Sequence, residues 1–585
     1  MRKKYSLVLS HTLKKINKNE NILSIRPLSN IFELKKKILV AEYPKIKKKE
    51  LLRRYKFCQT VFESIFNELV IKLNNLHNID YSPKAWNIIT GQYLTELIQI
   101  QYKIFLQSSY LFKKYKINKI YTIDTEKFDL CLDNSESIQK VYSDEDWYYA
   151  SCAKIINFFY KKKKQILHIP KKNKFIDTNI NTNRWSVKKV VIIFLSFFSR
   201  FIKLFINTNN YSLLVNTYLP FYFEKKLELS LGQLPLIWPK INYTYKKKNI
   251  QLRSKIKFEE KKTHSLFETY LRKNLDSFLP KFILEDFNRI KKISENNIYP
   301  KNPKIIFSSA SFAYDEVFKF YAASKVEKKI QYVIGQHGNN YFTKIQQNYA
   351  AEFQFADKYI SWGVNKKKKI KGTFNFKTID RKMTFNPEGK LIIVFDYIDI
   401  FPNLFNLGEE SSVRLKNIVK VIKKLKPEIR KKTILRVHAD FYKKFLGIKY
   451  INLLKDLNIE IDNGSQKINN LINGSRINFF TYDSTGMLEN FTLNHPTIFF
   501  EDKDYLEQIN NEYLYKYKTL KNNNIMFTDE DKIANHINNI WDKTNQWWNN
   551  KNTQSAIKIF NKNFNLVSKN SSLSNLKKIL ESMQK

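Results

Sequence analysis

Short apolar runs alternate with amphipathic stretches from about residue 212 onward. Residues 213–215, 304–307 and 330–334 are largely apolar runs of the length that is typical of buried strands. A stretch with helical spacing, residues 314–326, lies between the last two runs. A strand–helix–strand order predicts a βαβ unit, so we expect a parallel sheet in this part of the chain.

A second alternating block follows the polar stretch 377–389, which we interpret as an interdomain linker. In this block the apolar runs predict strands and the amphipathic stretches predict helices. The strands are expected at 391–395, 433–437, 477–480 and 497–500, and the helices at 411–425, 467–473 and 485–493. Two α/β blocks joined by a linker predict two facing sheets with a cleft between them. Open α/β sheets bind ligands beyond the carboxyl ends of their strands.

The first 165 residues show the periodicity of helices instead. Apolar residues recur every three or four positions over 51–76, and Ser82-Pro83 is typical of a helix start. Residues 161–183 open with four lysines and continue without a period, which predicts a linker. The predicted units are a mainly helical N-terminal region (1–165), an N-terminal α/β domain (184–376), and a C-terminal α/β domain (390–560) with helices to residue 585.

Composition supports folded domains and adds a large positive charge. The chain has 585 residues, 43% of them hydrophobic, with 12 Gly and 14 Pro, which excludes disordered and collagen-like chains. Lys and Arg number 102 and Asp and Glu 54, a formal net charge of +48. Such an excess favours an anionic partner: nucleic acid, anionic lipid or a phosphorylated substrate. Because Lys, Asn and Ile are all abundant, AT-rich codon usage explains the same excess, and both interpretations stay open.

Cysteine usage and the apolar runs indicate the cellular location of the protein. The three cysteines (Cys58, Cys131 and Cys152) are too few for a disulfide framework and include no C-x-x-C pair that would indicate structural zinc. The apolar start at residues 5–10 is shorter than a signal-peptide core. The longest apolar run, 190–198, is flanked by Lys and Arg and falls short of the ~20 residues of a membrane span. We expect a cytoplasmic protein that attaches peripherally to the anionic inner face of the membrane.

Three polar clusters follow predicted strands. The first, Gly335-Gln336-His337-Gly338, comes directly after the run 330–334. Glycines on both sides of a histidine allow a sharp turn and a close approach to a ligand. His337 is therefore a candidate general base or phosphate-binding donor. A plain turn with a polar histidine is the alternative.

The second cluster is Arg436-Val437-His438, at the end of the run 433–437. Alternation along a strand places Arg436 and His438 on the same face, at its carboxyl end. An Arg beside a His suits a diphosphate, through bidentate hydrogen bonds and positive charge. The alternative is a surface Arg on an edge strand.

The third cluster lies between a predicted strand and the helix 485–493. Asp483 or Ser484 can cap that helix. The next backbone N–H groups and the hydroxyls of Ser484 and Thr485 then form an anion pocket at the positive end of the helix dipole. Glu489, one turn further on, is placed to accept hydrogen bonds from sugar hydroxyls. A plain capping box explains the Ser and Thr without a ligand.

Several stretches together resemble a bacterial family of transferases associated with surface carbohydrate biosynthesis. They are residues 73–77 with Ser82, Trp86 and Gly91, then 335–338, 357–363, 482–486 with Glu489, 494–498, 540–541 and 547–548. The first 40 residues match poorly, and Asn339-Asn340 stand where the family usually has a further Gly. The resemblance implies a GT-B-like fold: two Rossmann-like α/β domains that face a cleft, with a largely helical N-terminal region and a donor nucleotide held mainly by the C-terminal domain. The clusters are also similar in arrangement to those of polymer-forming glycerophosphotransferases.

The resemblance and the clusters predict a metal-independent transferase that uses no cofactor. It would move a sugar, or a related phosphate-linked group, from a nucleotide-activated donor to a cell-surface glycan or lipid-linked acceptor. His337 is the predicted general base, and Arg436 and His438 would stabilise charge on the leaving diphosphate. The predicted donor-binding residues are Gly338, Asp483, Ser484, Thr485, Gly486 and Glu489, the last for the ribose.

Two other classes of protein stay open. A nucleic-acid-binding protein would concentrate its positive charge in one patch with interleaved aromatic residues. Here Lys is spread along the whole chain, so we expect no nucleic-acid partner. A catalytically degenerate GT-B-like scaffold would keep the fold and lose the chemistry. Binding of nucleotide sugars distinguishes the transferase from both.

Overall fold

The computed structural model of the chain describes most residues from 38 onward and short parts before them. The described residues are 3–9, 20–26, 38–124, 128–141, 144–160, 165–169, 199, 201–203, 205–238, 240–241, 243–296, 298–366, 368–395, 405, 411–438, 454 and 457–584. The apolar run 190–198 and most of the predicted linker 161–183 lie outside them. Within these residues, no helix is long and apolar enough to cross a bilayer.

Five parallel strands form a sheet in the N-terminal region, which the sequence analysis expected to be mainly helical. The strands are β1 (Lys4–Leu9), β2 (Ile22–Ser24), β3 (Leu39–Val40), β4 (Lys116–Ile123) and β5 (Gln165–Ile169). Their order across the sheet is β3-β2-β1-β4-β5, with every pairing parallel. The segment 165–169, predicted as part of a linker, is therefore an edge strand. Because β1 pairs with β4, far along the chain, local periodicity does not reveal the sheet.

The N-terminal region also contains the helices that the periodicity predicts, and two of them, Gln92–Lys114 and Glu145–Tyr160, pack on the sheet. The helices are Lys48–His77, Pro83–Trp86, Gln92–Lys114, Ser135–Lys140 and Glu145–Tyr160, with a π-helical turn at Asn87–Gly91. Ser82 accepts a hydrogen bond from the Ala85 N–H at 3.3 Å, which confirms the predicted Ser-Pro helix start. Residues 83–91 also pack against a helix of the next domain, Glu316–Val326. The N-terminal region and the middle domain consequently share one continuous core.

The middle domain is built on a second parallel sheet. Its strands are β6 (Leu213–Leu214), β7 (Ile306–Ser308), β8 (Tyr332–Gly335), β9 (Lys358–Ser361) and β10 (Ile370–Gly372), side by side in that order. The helical segments are Phe221–Ser230, Ile250–Arg253, Leu266–Phe278, Phe287–Glu295, Ser311–Tyr314, Glu316–Val326, Ile345–Tyr349, Glu352–Phe355 and Phe376–Thr378. The parallel pairing of β7 with β8 confirms the predicted βαβ unit.

The C-terminal domain contains six parallel strands in the order of a doubly wound fold. The strands are β11 (Leu391–Val394), β12 (Thr433–Arg436), β13 (Glu460–Asp462), β14 (Ile477–Phe480), β15 (Thr497–Phe500) and β16 (Met526–Phe527). The order β13-β12-β11-β14-β15-β16 changes direction between β11 and β14. Ligands bind at such a switch point, beyond the carboxyl ends of the strands. The third polar cluster lies there, directly after β14.

Helices cover both faces of the C-terminal sheet. The helical segments are Ser411–Lys424, Pro427–Lys431, Ile468–Ile472, Thr485–Thr492, Tyr505–Gln508, Asn511–Asn522, Glu530–Ile540 and Trp541–Lys543. Along β11, Leu391 and Ile393 belong to one apolar core, and Ile392 and Val394 belong to another. Successive residues of a strand point to opposite faces, so both faces are buried. This explains the uniformly apolar strands of the domain.

The C-terminal helices return to the middle domain. They are Thr544–Trp548, Lys551–Asn561 and Ser572–Glu581. The Leu566 N–H donates to the Trp362 carbonyl at 2.8 Å, and the Asn375 N–H donates to the Leu566 carbonyl at 2.9 Å. Gln584 Nε2 donates to Ser212 Oγ at 3.3 Å. The chain therefore passes from the middle domain into the C-terminal domain and afterwards returns to the middle domain. The predicted α/β fold class is confirmed.

Candidate active site at the junction of the two α/β domains

The loop after β8 is held in shape by buried Gln336. Its Nε2 donates to the Gly338 carbonyl at 2.9 Å, and its Oε1 accepts from the Trp362 N–H at 3.0 Å. Asn340 has a φ of 72°, in the left-handed region that glycine favours and Asn tolerates. The loop therefore turns without the further Gly that the resemblance led us to expect. His337 lies within this fixed loop.

His337 belongs to a hydrogen-bonded chain of three side chains. The Tyr341 hydroxyl lies 3.0 Å from His337 Nδ1, and it donates to Glu352 Oε1 at 2.6 Å. Tyr341 and Glu352 are buried. The phenol thus bridges the imidazole and a carboxyl group, which fixes the orientation of the ring.

The surroundings of His337 keep its imidazole neutral. Its pKa is lowered to about 4, and burial is the largest cause. The positive charge of Lys377 adds to this effect, whereas a hydrogen bond with the backbone of Ser309 opposes it. The rings of Tyr218 and Phe312, with centroids 5.7 and 6.2 Å away, supply much of the apolar environment. At neutral pH the imidazole is therefore in the form that accepts a proton.

The loop that carries His337 contacts the start of a helix in the C-terminal domain. The Asn339 N–H donates to Thr485 Oγ1 at 3.0 Å. The Asn339 side-chain amide donates to the Asp483 carboxylate and, at 3.2 Å, to the Ser484 carbonyl. A Cβ added at Gly338 would lie 3.2 Å from Thr485 Oγ1, a tight contact that would require the hydroxyl to shift by a few tenths of an ångström. The first and third predicted clusters consequently lie side by side.

The helix Thr485–Thr492 begins beside this loop with backbone N–H groups available. Ser484 Oγ accepts from a main-chain N–H three residues on, at 3.1 Å, which is the capping role that the sequence analysis gave as the alternative. Among the described residues, no acceptor pairs with the N–H groups of Thr485 and Gly486. These two N–H groups lie at the positive end of the helix dipole, where an anion is stabilised. A Cβ at Gly486 would lie 2.9 Å from the Phe480 ring, so packing also requires this glycine.

Asp483 holds the turn before the helix. It is 1% exposed, and its Oδ2 accepts from the hydroxyls of Tyr505 and Tyr517, the second at 2.6 Å. Its Oδ1 accepts from the Asn339 amide, and its N–H donates to Glu501 Oε1 at 2.8 Å. Both oxygens are used within the protein. Asp483 therefore positions the turn, and its predicted contact with a donor stays a prediction.

A pair of cations that the sequence analysis missed lies beside this helix. Arg381 Nη1 pairs with Glu489 Oε2 at 2.5 Å, so the residue predicted to bind ribose is already engaged. Burial lowers the pKa of Lys377, whereas the negative charge of Glu489 raises it. Lys377 Nζ lies 4.5 Å from the centroid of the Tyr218 ring, and it forms no ion pair with any described carboxylate. Lys377 is therefore available to compensate the charge of a bound anion.

The Arg436 cluster lies at the same edge of the C-terminal sheet, two strands away from the third cluster. Val394 in β11 pairs with Arg436 on one side and with β14 on the other, and neighbouring strands lie about 4.8 Å apart. Arg436 Nη1 forms an ion pair with Asp462 Oδ2 at 2.5 Å. His438 is exposed at the end of β12. The charge-stabilising roles of Arg436 and His438 stay predictions.

Comparison with protein families identifies the relatives of this chain. A family model described as "LIC12162 family transferase" matches residues 6–580. The chain belongs to the LIC12162 family of transferases. The resemblance to bacterial transferases is thereby confirmed. The match of the LIC12162 family transferase model also includes most of the first 40 residues, where the sequence analysis expected a poor fit. Among curated proteins, none matches the sequence.

Solved structures resemble parts of this LIC12162 family transferase. The wall teichoic acid polymerase TagF is 14% identical, over 48% of this chain and 73% of that one, with a TM-score of 0.27. The spinosyn rhamnosyltransferase SpnG is 10% identical over 51% and 80%, with a TM-score of 0.27. WaaG, a glycosyltransferase involved in lipopolysaccharide biosynthesis, is 11% identical over 51% and 95%, with a TM-score of 0.25. At such TM-scores, these similarities carry no weight for the activity of this chain.

Proposed function

We propose that this transferase moves a sugar, or a related phosphate-linked group, from a nucleotide-activated donor to a cell-surface glycan or lipid-linked acceptor, without a metal. The proposal rests on the contact between the loop that carries His337 and the start of the helix Thr485–Thr492. The loop that carries the neutral imidazole, in one domain, contacts a helix start in the other domain that suits an anion. Transfer from a phosphate-linked donor needs both groups at one place.

In the proposed reaction the phosphates of the donor lie at the helix start. The N–H groups of Thr485 and Gly486 and the charge of Lys377 compensate their negative charge. His337 takes the proton of the acceptor hydroxyl while the hydroxyl oxygen bonds to the transferred group. The bond between that group and the nucleotide phosphate breaks, and its electron pair leaves with the phosphate. Tyr341 keeps the imidazole in place.

Binding of nucleotide-activated donors tests the proposal. We expect calorimetry with UDP-, GDP-, dTDP- and CDP-linked sugars and CDP-glycerol to find at least one ligand that binds in the micromolar to millimolar range typical of enzyme substrates, about 1 μM to 1 mM. EDTA should leave its affinity unchanged, because protein cations and the helix start compensate the phosphate charge. Binding of DNA or RNA oligonucleotides without any donor would favour the nucleic-acid-binding alternative. Donor binding with no release of nucleotide in the presence of any acceptor would favour the scaffold.

We also propose a peripheral attachment to anionic membranes. Phe201 and Phe205, just after the run 190–198, are 58% and 72% exposed, and their ring centroids lie 5.0 Å apart. Exposed aromatic side chains beside basic residues favour binding at a lipid surface. We expect flotation with phosphatidylglycerol vesicles at low salt, less at high salt, and a loss in the Phe201→Ser, Phe205→Ser double variant. Leu266→Ser, a change at another exposed apolar residue, should float like the wild type. An equal response of both variants would contradict the proposal.

A further inference from the structure

A cavity of about 230 Å³ lies between the N-terminal helices and the loop of His337. One wall is the helix Gln92–Lys114, and the opposite wall belongs to the middle domain and includes His337, Tyr341 and Glu352. This volume is below the ~300 Å³ at which pockets for drug-sized ligands begin. It suits one ring-sized unit, or roughly seven to eight waters at ~30 Å³ each.

The helix wall of the cavity is polar, although a buried helix face is normally apolar. Gln92, Thr95, Glu96 and Gln99 follow one another at i, i+3, i+4 and i+7, so they share one face of the helix. All four line the cavity. A polar stripe at these positions does not contribute to an apolar core. Because the stripe faces the cavity, its side chains can form hydrogen bonds with a molecule bound there.

Three oxygen atoms of this stripe are ready to accept hydrogen bonds. Gln92 Oε1, Thr95 Oγ1 and Glu96 Oε2 are buried and have no hydrogen-bond partner among the described residues. Thr95 is only 8% exposed. Gln92 Nε2 donates to Glu96 Oε1 at 3.0 Å, which holds the two side chains together. Buried oxygens without partners are costly, so we expect a ligand that donates several hydrogen bonds.

The charge of the walls excludes an anion from this space. None of the described residues that line the cavity is Lys or Arg, although the chain contains 102 of them. Burial raises the pKa of Glu96 to about 7, so this carboxyl group is partly neutral at pH 7 and attracts a cation weakly. The rings of Phe312, Tyr341 and Tyr349 line the cavity as well. Aromatic rings pack well against the apolar face of a sugar.

We infer that the cavity is the acceptor subsite and binds an uncharged polyhydroxyl unit, either a sugar ring or a short polyol. Its hydroxyl groups donate to Gln92, Thr95 and Glu96, and one further hydroxyl faces His337. That hydroxyl gives its proton to His337 as its oxygen bonds to the group carried by the donor, and the nucleotide leaves with the electron pair of the broken bond. The inference rests on the proposed function.

Binding of simple sugars and polyols to the full chain tests this inference. The probes are glucose, galactose and glycerol, with inorganic phosphate and glucosamine as charged comparisons, and saturation-transfer NMR titration gives the affinities. We expect an uncharged probe to bind the wild type. Thr95→Val and Glu96→Gln should each weaken it about three- to tenfold, since each removes one hydrogen-bond acceptor. Thr60→Val is the matched control, because Thr60 is exposed on the helix Lys48–His77, and it should keep the affinity.

Two further measurements, probe binding and donor affinity, are made on the variant Ala313→Leu. Ala313→Leu places a larger side chain at the cavity wall and should abolish probe binding, while its donor affinity by calorimetry stays at the wild-type value. Equal probe affinity in the wild type and Thr95→Val, or no probe binding in a protein that binds its donor, would overturn the inference and leave the proposed function standing. Preferred binding of phosphate or glucosamine would overturn the uncharged class of ligand. A wild type that binds no donor would instead overturn the proposed function.

Discussion

Replacing His337 by alanine is expected to slow transfer by about 10²- to 10⁴-fold, the usual contribution of a general base. Donor affinity should change little, because His337 follows β8 in the middle domain, whereas the anion-binding N–H groups begin a helix of the C-terminal domain. Single-turnover rates at saturating donor, beside donor affinity from calorimetry, measure the two quantities separately.

The pH dependence of the wild type gives a second readout of the same residue. The pKa of His337 is lowered to about 4, so the neutral imidazole predominates at every pH above that value. We therefore expect kcat/KM to stay level down to about pH 5 and to fall as the pH drops through about 4, whereas an ordinary histidine would lose activity near 6.5.

A matched control for His337→Ala is His536→Ala. This variant removes another histidine, which lies in the helix Glu530–Ile540 and whose pKa is also lowered by burial. Its single-turnover rate should stay within about twofold of the wild type, because general-base catalysis requires the group to reach the reacting proton. A normal rate in His337→Ala, or equal losses in both variants, would show that another group is the base.

Replacing Lys377 by methionine is expected to raise the dissociation constant of the donor about 10- to 150-fold. This range corresponds to the loss of one charge-assisted hydrogen bond, about 1.5–3 kcal/mol. Lys377 Nζ lies 4.5 Å from the centroid of the Tyr218 ring, which is 5.7 Å from that of His337. Lys377 also acts electrostatically on both His337 and Glu489. The single-turnover rate at saturating donor should change far less than the affinity.

Lys382→Met is the matched control for this prediction. Lys382 is exposed and lies five residues further along the same segment. Its substitution therefore also removes one positive charge, but at a position outside the junction. We expect its donor affinity to stay within about twofold of the wild type. Equal losses in the two variants would indicate that the net charge of +48, and not a particular site, attracts the donor.

The parts of the fold and site that follow buried strands could be predicted from the sequence. β11 is apolar throughout because both of its faces are covered, which makes such a strand easy to recognise. His337 and Ser484 were identifiable as candidates because each follows a strand of a parallel sheet. For Ser484, the capping alternative that the sequence left open is the contact that the structure contains.

The remaining features depend on contacts between distant parts of the chain. The N-terminal sheet was missed because Lys4 in β1 pairs with Lys116 in β4, while long helices dominate the periodicity between them. Lys377 belongs to a polar stretch that looks like a linker, and it becomes significant only when it folds beside Glu489. The polar stripe that begins at Gln92 likewise becomes recognisable as a cavity wall only when the middle domain supplies the opposite wall.

The most direct test of a site shared by the two α/β domains measures donor affinity and single-turnover rate for His337→Ala and Lys377→Met side by side. A shared site predicts a crossed pattern: His337→Ala loses the rate and keeps the affinity, and Lys377→Met loses the affinity and keeps most of the rate. If His337→Ala loses donor affinity as severely as Lys377→Met, His337 is a phosphate ligand, and the division of base and donor binding between the domains is contradicted.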